Sequence, residues 1–174
     1  TVYGEPDKLP VNEIAPIDPI TPYSRSKLMT EWILEDVSKS SDMNYAALRY
    51  FNVAGADPKG RTGQCSPKAT HLIKVASEVA TGKRNKMEIY GDDYETPDGS
   101  CVRDYIHVSD LAEAHLPVLN LLQATQESYV LNCGYGKGSS VKEIVAEYQH
   151  VTGKDLNATI GPRRAGDISA LISD

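Results

Sequence analysis

Apolar and polar positions along the chain follow two periods, one of about 3.6 residues and one of about two residues, and the two kinds of segment alternate. Helical spacing predicts four helices, at residues 22–38, 70–81, 109–123 and 140–153. Short runs rich in β-branched and aromatic residues predict strands at 45–51, 87–90, 102–108, 129–132 and 156–160. Strands that alternate with helices are typical of the α/β class.

Polar residues and glycines mark the ends of the predicted helices. Ser140 and Glu143 have the spacing of a capping box, and Gly153 is placed to end the same helix. Ser109 is predicted to cap the third helix. Pro117 is expected to kink or divide that helix, because proline lacks the amide hydrogen that a helix interior needs.

Two stretches rich in proline, glycine and polar residues, 4–22 and 52–68, are predicted to be loops. Ligands of doubly wound α/β proteins bind at the carboxyl ends of strands, which is where Asn52 lies. The glycine-rich segment 134–140 resembles a phosphate loop but fits neither nucleotide fingerprint, so we interpret it as a strand-to-helix turn.

Composition excludes several classes of protein. The chain of 174 residues is 40% hydrophobic and 24% charged, as in ordinary soluble globular proteins. Its net charge of −6 argues against a nucleic-acid partner, and no apolar run is long enough to cross a membrane. The four histidines have no metal-ligand spacing. Cys65, Cys101 and Cys133 are odd in number and widely spaced, which suits small buried side chains in a reducing cytoplasm.

The segment from Pro22 to Lys27 carries the clearest chemical signal. Thr21 is a good N-cap and Pro22 a good first helical residue, so Tyr23 is predicted to lie in the first helical turn. Residues four apart share a helix face, which puts Lys27 beside Tyr23. A cation and the positive end of a helix both favour phenolate, the form in which tyrosine acts as a base. In a chain with ten tyrosines this spacing also arises by chance.

Two separate arginine sites predict contacts with phosphate. Arg103 lies on a predicted strand, and Arg164 follows Arg163 near Asp167. A guanidinium can grip phosphate oxygens in a bidentate fork, so the two sites together fit a diphosphate. The alternatives are a surface Arg103–Asp104 pair on an edge strand and an ordinary solvated arginine pair.

Together these segments resemble the extended short-chain dehydrogenase/reductase family, and within it the epimerases of UDP-hexoses. The segments that carry the resemblance are Thr1-Val-Tyr-Gly4, Pro22-Tyr-Ser-Arg-Ser-Lys-Leu28, Leu48-Arg-Tyr-Phe-Asn-Val-Ala-Gly-Ala56, Val102-Arg-Asp-Tyr-Ile-His-Val108, Asp110-Leu-Ala112 and Pro162-Arg-Arg-Ala-Gly-Asp167. They occur in the family's order across nearly the whole chain.

The resemblance implies that the chain is the C-terminal part of a protein about twice its length, whose amino-terminal half binds NAD. Residues 1–58 would complete a Rossmann-type doubly wound sheet, and 59–174 would form mainly a smaller α/β lobe for the UDP-sugar. A segment near 101–134 would return to the Rossmann domain. The family's catalytic Ser or Thr lies two residues before the position of Thr1, so the fragment alone is expected to be inactive.

The resemblance also implies roles for single residues. Tyr23 would be the catalytic base, Lys27 would favour its phenolate and contact the nicotinamide ribose, and Tyr50 would lie at the cofactor. The residues implied at the substrate are Asn52, His71, Leu72, Tyr90, Arg103, Tyr105, Arg164, Asp167 and Leu171. His71 stands where many members have Asn, and Ser100-Cys101 varies the usual Gly-Thr-x-Val-Arg run. Leu171 lies where side-chain size limits room at C2 of the sugar.

The implied activity is the NAD-dependent interconversion of UDP-glucose and UDP-galactose, in galactose metabolism, through a 4-keto sugar. The expected assembly is a homodimer, with the first helix in its interface. The alternatives are an epimerase of UDP-N-acetylhexosamines, a UDP-glucuronate decarboxylase, and, for the fragment alone, a non-catalytic UDP-sugar-binding piece. A 4,6-dehydratase is disfavoured, because Thr1 occupies the position of the glutamate that such enzymes use as an acid.

Overall fold

The computed structural model describes residues 1–174, which form four helices and eight strands. The helices are α1 (Pro22–Ser40), α2 (Leu72–Ala80), α3 (Val108–Thr125) and α4 (Val141–Thr152). The strands are β1 (Ala46–Tyr50), β2 (Asn52–Ala54), β3 (Met87–Tyr90), β4 (Val102–His107), β5 (Tyr129–Cys133), β6 (Gly138–Ser140), β7 (Ala158–Gly161) and β8 (Ala170–Leu171). The predicted α/β class is confirmed.

The strands pair mostly in parallel and over long distances in sequence. β1 pairs with β5, and β3 pairs with β7, both in parallel. β4 has three partners: β2 and β8 in parallel, and β6 antiparallel. Because β4 lies between other strands, the alternative of an edge strand for Arg103 is wrong. α3 connects β4 to β5, a crossover of the kind that parallel strands require.

The helix-end predictions succeed for two helices and fail for one. Thr21 caps α1 and Ser140 caps α4, in both cases through a capping box. Gly153 ends α4 in the left-handed conformation. Ser109 does not cap α3: the cap is His107, whose Nδ1 accepts a hydrogen bond from the Ser109 amide. α3 is not divided at Pro117 but continues to Thr125.

Three short strands lie where none was predicted. β2 takes the first residues of the predicted 52–68 loop, because Asn52 pairs with Tyr105 on β4. β6 takes the end of the predicted 134–140 turn and pairs with β4. β8 contains only two residues. Each is defined by pairing with β4, which a local sequence pattern does not register.

Two clusters of buried apolar side chains form the core. One lies between α2, β3 and α4 and consists of Ala76, Val79, Met87, Ile89, Val145 and Leu156. The other joins the start of the chain to α1 and β8 and consists of Val2, Tyr3, Val11, Leu28 and Leu171. α2 contributes its buried residues, Ala76 and Val79, to the first of these clusters.

A partly buried ion pair fixes α1 against the sheet. Arg49 on β1 donates two hydrogen bonds to the Glu31 carboxylate on α1, at 2.9 and 2.7 Å, and a third to the Tyr3 hydroxyl. Burial opposes the Arg49 charge, but the bonds to Glu31 and Tyr3 outweigh burial and raise the pKa of Arg49. This clamp lies one helical turn beyond Lys27, so it orients the helix that carries Tyr23.

The opposite side of α1 is apolar and exposed. Met29, Trp32, Ile33 and Val37 have exposed fractions between 41% and 62%. We call these four side chains the α1 stripe. No helix combines the length and apolar character that crossing a membrane would require.

Candidate active site

Two neighbouring clefts bring the predicted site residues together. The first, of about 450 Å³, is lined by Arg84, Arg103 and Arg164, and we call it the arginine cleft. The second, of about 880 Å³, is lined by Tyr23 and Tyr50, and we call it the tyrosine cleft. Both volumes are those of small-molecule sites.

The clefts meet at four residues that line both of them: Asn52, His71, Leu72 and Tyr105. Asn52 begins β2, directly opposite Tyr105 on β4. His71 and Leu72 stand at the start of α2, where no side chain caps the helix and no acidic residue lies in the first turn. The free amides of this helix end therefore attract an anion at the junction.

Tyr23 lies in the first turn of α1, as predicted. The Thr21 hydroxyl accepts a hydrogen bond from the Ser24 amide at 3.1 Å, which fixes this turn. The Tyr23 ring is 62% exposed, and the Lys27 Nζ lies 5.2 Å from its centroid. The phenol and the ammonium are thus adjacent at the mouth of the tyrosine cleft.

Arg103 is positioned by backbone oxygens and has no carboxylate partner. Its guanidinium donates to the carbonyls of Val102 and Ile168, both at 2.8 Å. The expected alternative of an Arg103–Asp104 pair is wrong: Asp104 is fully buried and accepts hydrogen bonds from the amides of Tyr135 and Gly136. The Arg103 charge is therefore directed into the arginine cleft and remains available to an anion.

Arg164 and Asp167 both line the arginine cleft, where they bind each other. Arg164 donates two hydrogen bonds to the Asp167 carboxylate, at 2.8 and 3.2 Å, and its guanidinium lies 4.6 Å from the centroid of Tyr90. Burial opposes the Arg164 charge, but the bonds to Asp167 outweigh burial and raise the pKa of Arg164. A flat cationic group stacked on an aromatic ring forms this wall of the cleft.

Tyr105 is a hydrogen-bond donor rather than a base. Burial of its hydroxyl raises the pKa of Tyr105 to about 12, although Arg103 acts in the opposite direction. The phenol therefore stays protonated at neutral pH and can donate to a ligand where the clefts meet.

Two predicted site residues, Lys27 and Leu171, line neither cleft. Lys27 lies beside the Tyr23 ring. Leu171 is only 7% exposed and packs in the core cluster with Val11 and Leu28. Its neighbour across the sheet is Arg103, so it lies behind the cleft wall.

Sequence reasoning missed several residues of the clefts. Arg84 and Lys86 add cationic side chains to the arginine cleft, although Glu78 already accepts two hydrogen bonds from Arg84. The local sequence signal for these two cations is their proximity within the basic run 83–86. Of the three cysteines expected to be buried, Cys101 is buried and lines the arginine cleft, Cys133 is half-buried, and Cys65 is exposed, which contradicts the expectation. Gln64 lines the tyrosine cleft. No group of three or more His, Cys, Asp or Glu side chains is arranged to hold a metal ion.

The chain is similar to known epimerases. The sequence profile of a family described as the NAD dependent epimerase/dehydratase family matches residues 1–134. A UDP-glucose 4-epimerase from Azospirillum brasilense is 52% identical over 172 residues, which are 99% of this chain and 49% of that relative. The chain spans about half the length of the curated relatives that it matches.

Solved structures share the fold. UDP-glucose 4-epimerase from Bifidobacterium longum, in complex with NAD+ and UDP, has a TM-score of 0.93 at 42% identity, over 99% of this chain and 52% of that chain. The UDP-Glc/GlcNAc 4-epimerase from Campylobacter jejuni is 53% identical with a TM-score of 0.76, over 99% of this chain and 53% of that chain. The resemblance to epimerases of UDP-hexoses is confirmed.

Proposed function

Because the chain belongs to the NAD dependent epimerase/dehydratase family, we propose that it supplies the UDP-sugar site and the proton-transfer tyrosine of an enzyme that interconverts UDP-glucose and UDP-galactose. One observation carries the proposal. A cleft lined by arginines and a cleft lined by Tyr23 meet at a helix N-terminus that attracts anions. That arrangement suits a molecule with a nucleotide at one end, a diphosphate in the middle and a reacting sugar at the other.

The residues at the tyrosine cleft suit NAD. Tyr23 and Tyr50 are each more than half exposed, and their hydroxyls are free of hydrogen bonds within the chain. With Lys27 beside Tyr23, they offer donors and a cation to a ribose and a nicotinamide. When bound, NAD would supply acceptance and return of a hydride at C4 of the sugar.

Tyr23 performs the proton transfer in this proposal. As a phenolate it takes the proton of the C4 hydroxyl while that carbon loses its hydride, and the sugar becomes a 4-keto sugar. Lys27 stabilises the phenolate by its charge. After the sugar has turned, Tyr23 returns the proton to the same oxygen and the hydride returns to the other face of C4. The product therefore differs from the substrate only in the configuration at C4.

The substrate is held away from the reacting carbon. Arg103 and Arg164 would bind the diphosphate, with the Leu72 amide at the start of α2 as a further donor. Tyr90 would lie at the uracil and Asp167 at the ribose hydroxyls, for which it would have to exchange part of its bond to Arg164. Contacts concentrated on the nucleotide leave the sugar free to turn between the two hydride steps.

The same proposal extends to the arrangement of the whole protein. Residues 1–58 would belong to the NAD-binding domain and 59–174 mainly to the UDP-sugar lobe, with the segment 101–134 returning to the former. The pairing of β5 with β1 and of β4 with β2 supports this division. The α1 stripe supports a homodimer, and the three free cysteines suit a reducing compartment such as the cytoplasm. A place in galactose metabolism follows from the proposed interconversion of UDP-glucose and UDP-galactose.

An activity on N-acetylated UDP-sugars is the second candidate. The specific observation in its favour is the 53% identity to a structure described as a UDP-Glc/GlcNAc 4-epimerase. The non-catalytic alternative is a piece that binds UDP-sugars without turnover, and it does not depend on proton transfer by Tyr23.

Turnover by the full-length protein loaded with NAD distinguishes these candidates. We expect conversion of UDP-galactose to UDP-glucose in an assay coupled to UDP-glucose dehydrogenase. Conversion of UDP-N-acetylgalactosamine, followed by nuclear magnetic resonance (NMR), measures the second activity in the same preparation. Binding of UDP without turnover of either sugar would contradict the proposed function and leave only the UDP-sugar site.

A further inference from the structure

His71 and Gln64 form a pair at the edge of the tyrosine cleft. Gln64 lies in the loop between β2 and α2, seven residues before His71, and both side chains line the cleft. The Gln64 Nε2 and the His71 Nδ1 are 2.6 Å apart. The His71 side chain takes no part in capping α2, although the residue occupies the capping position. Its orientation is therefore set by Gln64 rather than by the helix.

The Gln64 amide nitrogen faces the His71 Nδ1, and this contact implies a position for the ring proton. An amide nitrogen can only donate, so Nδ1 accepts and the neutral ring carries its proton on Nε2. The Nε2–H makes no hydrogen bond within the chain, and His71 is one of the four residues shared by the two clefts. The ring thus presents a single donor to the junction, the same kind of donor that an asparagine amide would present there.

On the basis of the function proposed above, we infer that Gln64 is a positioning residue that holds His71 as the Nε2–H tautomer, so that the ring donates a hydrogen bond to the bound UDP-sugar. The acceptor is an oxygen of the diphosphate–sugar part, because His71 lies where the arginine cleft passes into the tyrosine cleft. Gln64 itself touches no reacting atom in this scheme.

A double-mutant cycle tests the inference in the full-length protein loaded with NAD. Gln64→Met keeps the length of the side chain and removes the donor. We expect it to raise KM for UDP-galactose by up to about tenfold, the effect of one neutral hydrogen bond, with a smaller change in kcat. Asparagine has no ring tautomer for Gln64 to fix. In the His71→Asn background, Gln64→Met should therefore change KM by less than about twofold.

Long-range proton–nitrogen NMR of the His71 ring supplies a reading that does not depend on turnover. We expect the proton on Nε2 in the wild type and a mixture of tautomers in Gln64→Met. Equal effects of Gln64→Met on KM in the two backgrounds, or a wild-type ring protonated on Nδ1, would overturn the inference. If the wild type fails to convert UDP-galactose, the proposed function fails, while the ring spectrum still decides whether Gln64 sets the tautomer.

Discussion

Arg163 and Arg164 are adjacent in sequence and have different surroundings. Arg164 lines the arginine cleft beside Tyr90, whereas Arg163 binds the exposed Asp93 at 2.6 Å and stacks on Tyr94 outside the residues that line either cleft. The two guanidinium groups are separated by their partners, Asp93 for Arg163 and Asp167 for Arg164. Only one of the pair is therefore available to a ligand.

Substitution of each arginine tests this difference. Arg164→Met should weaken binding of UDP by about 10- to 100-fold, because a charged hydrogen-bond donor to the diphosphate is lost. Arg163→Met, the matched control, should change the Kd of UDP by less than about twofold. Isothermal titration with UDP measures both. If the two variants lose UDP affinity equally, the Arg164 charge acts only through the electrostatic potential of the segment and makes no direct contact with the diphosphate.

The sequence could predict some site residues and not others, for physical reasons. Asn52, Arg103 and Arg164 lie in segments whose residue types already point to anion binding, and each reaches the arginine cleft. Gln64 lies in a polar loop, where its partner His71 is decided by the path of the loop and not by local pattern. The resemblance placed Leu171 at the sugar, whereas its side chain packs in the core.

The turn before β4 is held to the start of α4 by one carboxylate. The Asp98 Oδ1 accepts hydrogen bonds from the amide and hydroxyl of Ser100, both at 2.8 Å, and its Oδ2 accepts from the Ser140 hydroxyl. The turn also needs Gly99, whose φ of +78° and contact with the Asp92 carbonyl leave no room for a Cβ. Asp98 thus links the turn, the cap of α4 and the strand that carries Arg103.

Asp98 should make stability depend on acidic pH. Burial opposes its ionisation, but the bonds from Ser140 and Ser100 outweigh burial, so the pKa of Asp98 lies below its ordinary value of 3.8. As the pH falls, Asp98 is therefore protonated in the unfolded chain before it is protonated in the folded protein. The stabilisation is therefore complete above about pH 4 and is lost as the pH falls below that value.

Urea unfolding of the full-length protein checks this prediction. At pH 7, Asp98→Asn should lower the free energy of unfolding by about 1–3 kcal/mol, since hydrogen bonds to a charged acceptor are lost. The difference from wild type should shrink as the pH is lowered from 5 to 3. The exposed Asp42 provides the control, because Asp42→Asn should match wild type at pH 7. A pH-independent difference for Asp98→Asn would contradict the linkage.

For helices and strands, the sequence predicted those features that depend on contacts between residues close together in the chain. The capping boxes of α1 and α4 involve residues three apart, so the sequence could place both helix starts. The start of α3 was misplaced because His107 ends β4 and caps the helix at once, leaving no loop between them. β6 and β8 depend on pairing with β4 across many residues, and nothing within their few residues predicts them.

At the scale of the whole molecule, the fold leaves the α1 stripe uncovered. Trp32 and Ile33 are 54% and 62% exposed, on the helix that carries Tyr23. Apolar side chains grouped on one helix face favour burial against a partner. A homodimer through this stripe would also hold α1, and so Tyr23 and Lys27, in a fixed orientation.

Ile33→Glu should separate the proposed dimer. A charge in an apolar interface costs about 2 kcal/mol or more, which raises the Kd for association at least about thirtyfold. Light scattering after size exclusion should show half the wild-type mass at low concentration. Val151→Glu, at a 72% exposed apolar residue on α4, is the control and should leave the mass unchanged. A monomeric wild type would contradict the dimer.

Across the whole molecule, the two clefts arise from long-range pairing. Parallel pairing of β2 with β4 brings Asn52 to Tyr105, and the start of α2 lies where the arginine cleft meets the tyrosine cleft. The family resemblance anticipated this assembly, whereas composition and periodicity reached only the α/β class. In the proposed function Tyr23, which lines the tyrosine cleft, exchanges the proton of the C4 hydroxyl.

The most direct test is the rate of UDP-galactose conversion by the full-length protein and by Tyr23→Phe, with NAD bound in both. We expect kcat to fall by about 10²- to 10⁴-fold, the contribution of a positioned acid–base group, with KM little changed. Tyr45→Phe, which alters a tyrosine outside both clefts, should retain the wild-type rate. A Tyr23→Phe enzyme that turns over within a few-fold of the wild-type rate would show that Tyr23 does not carry the proton transfer.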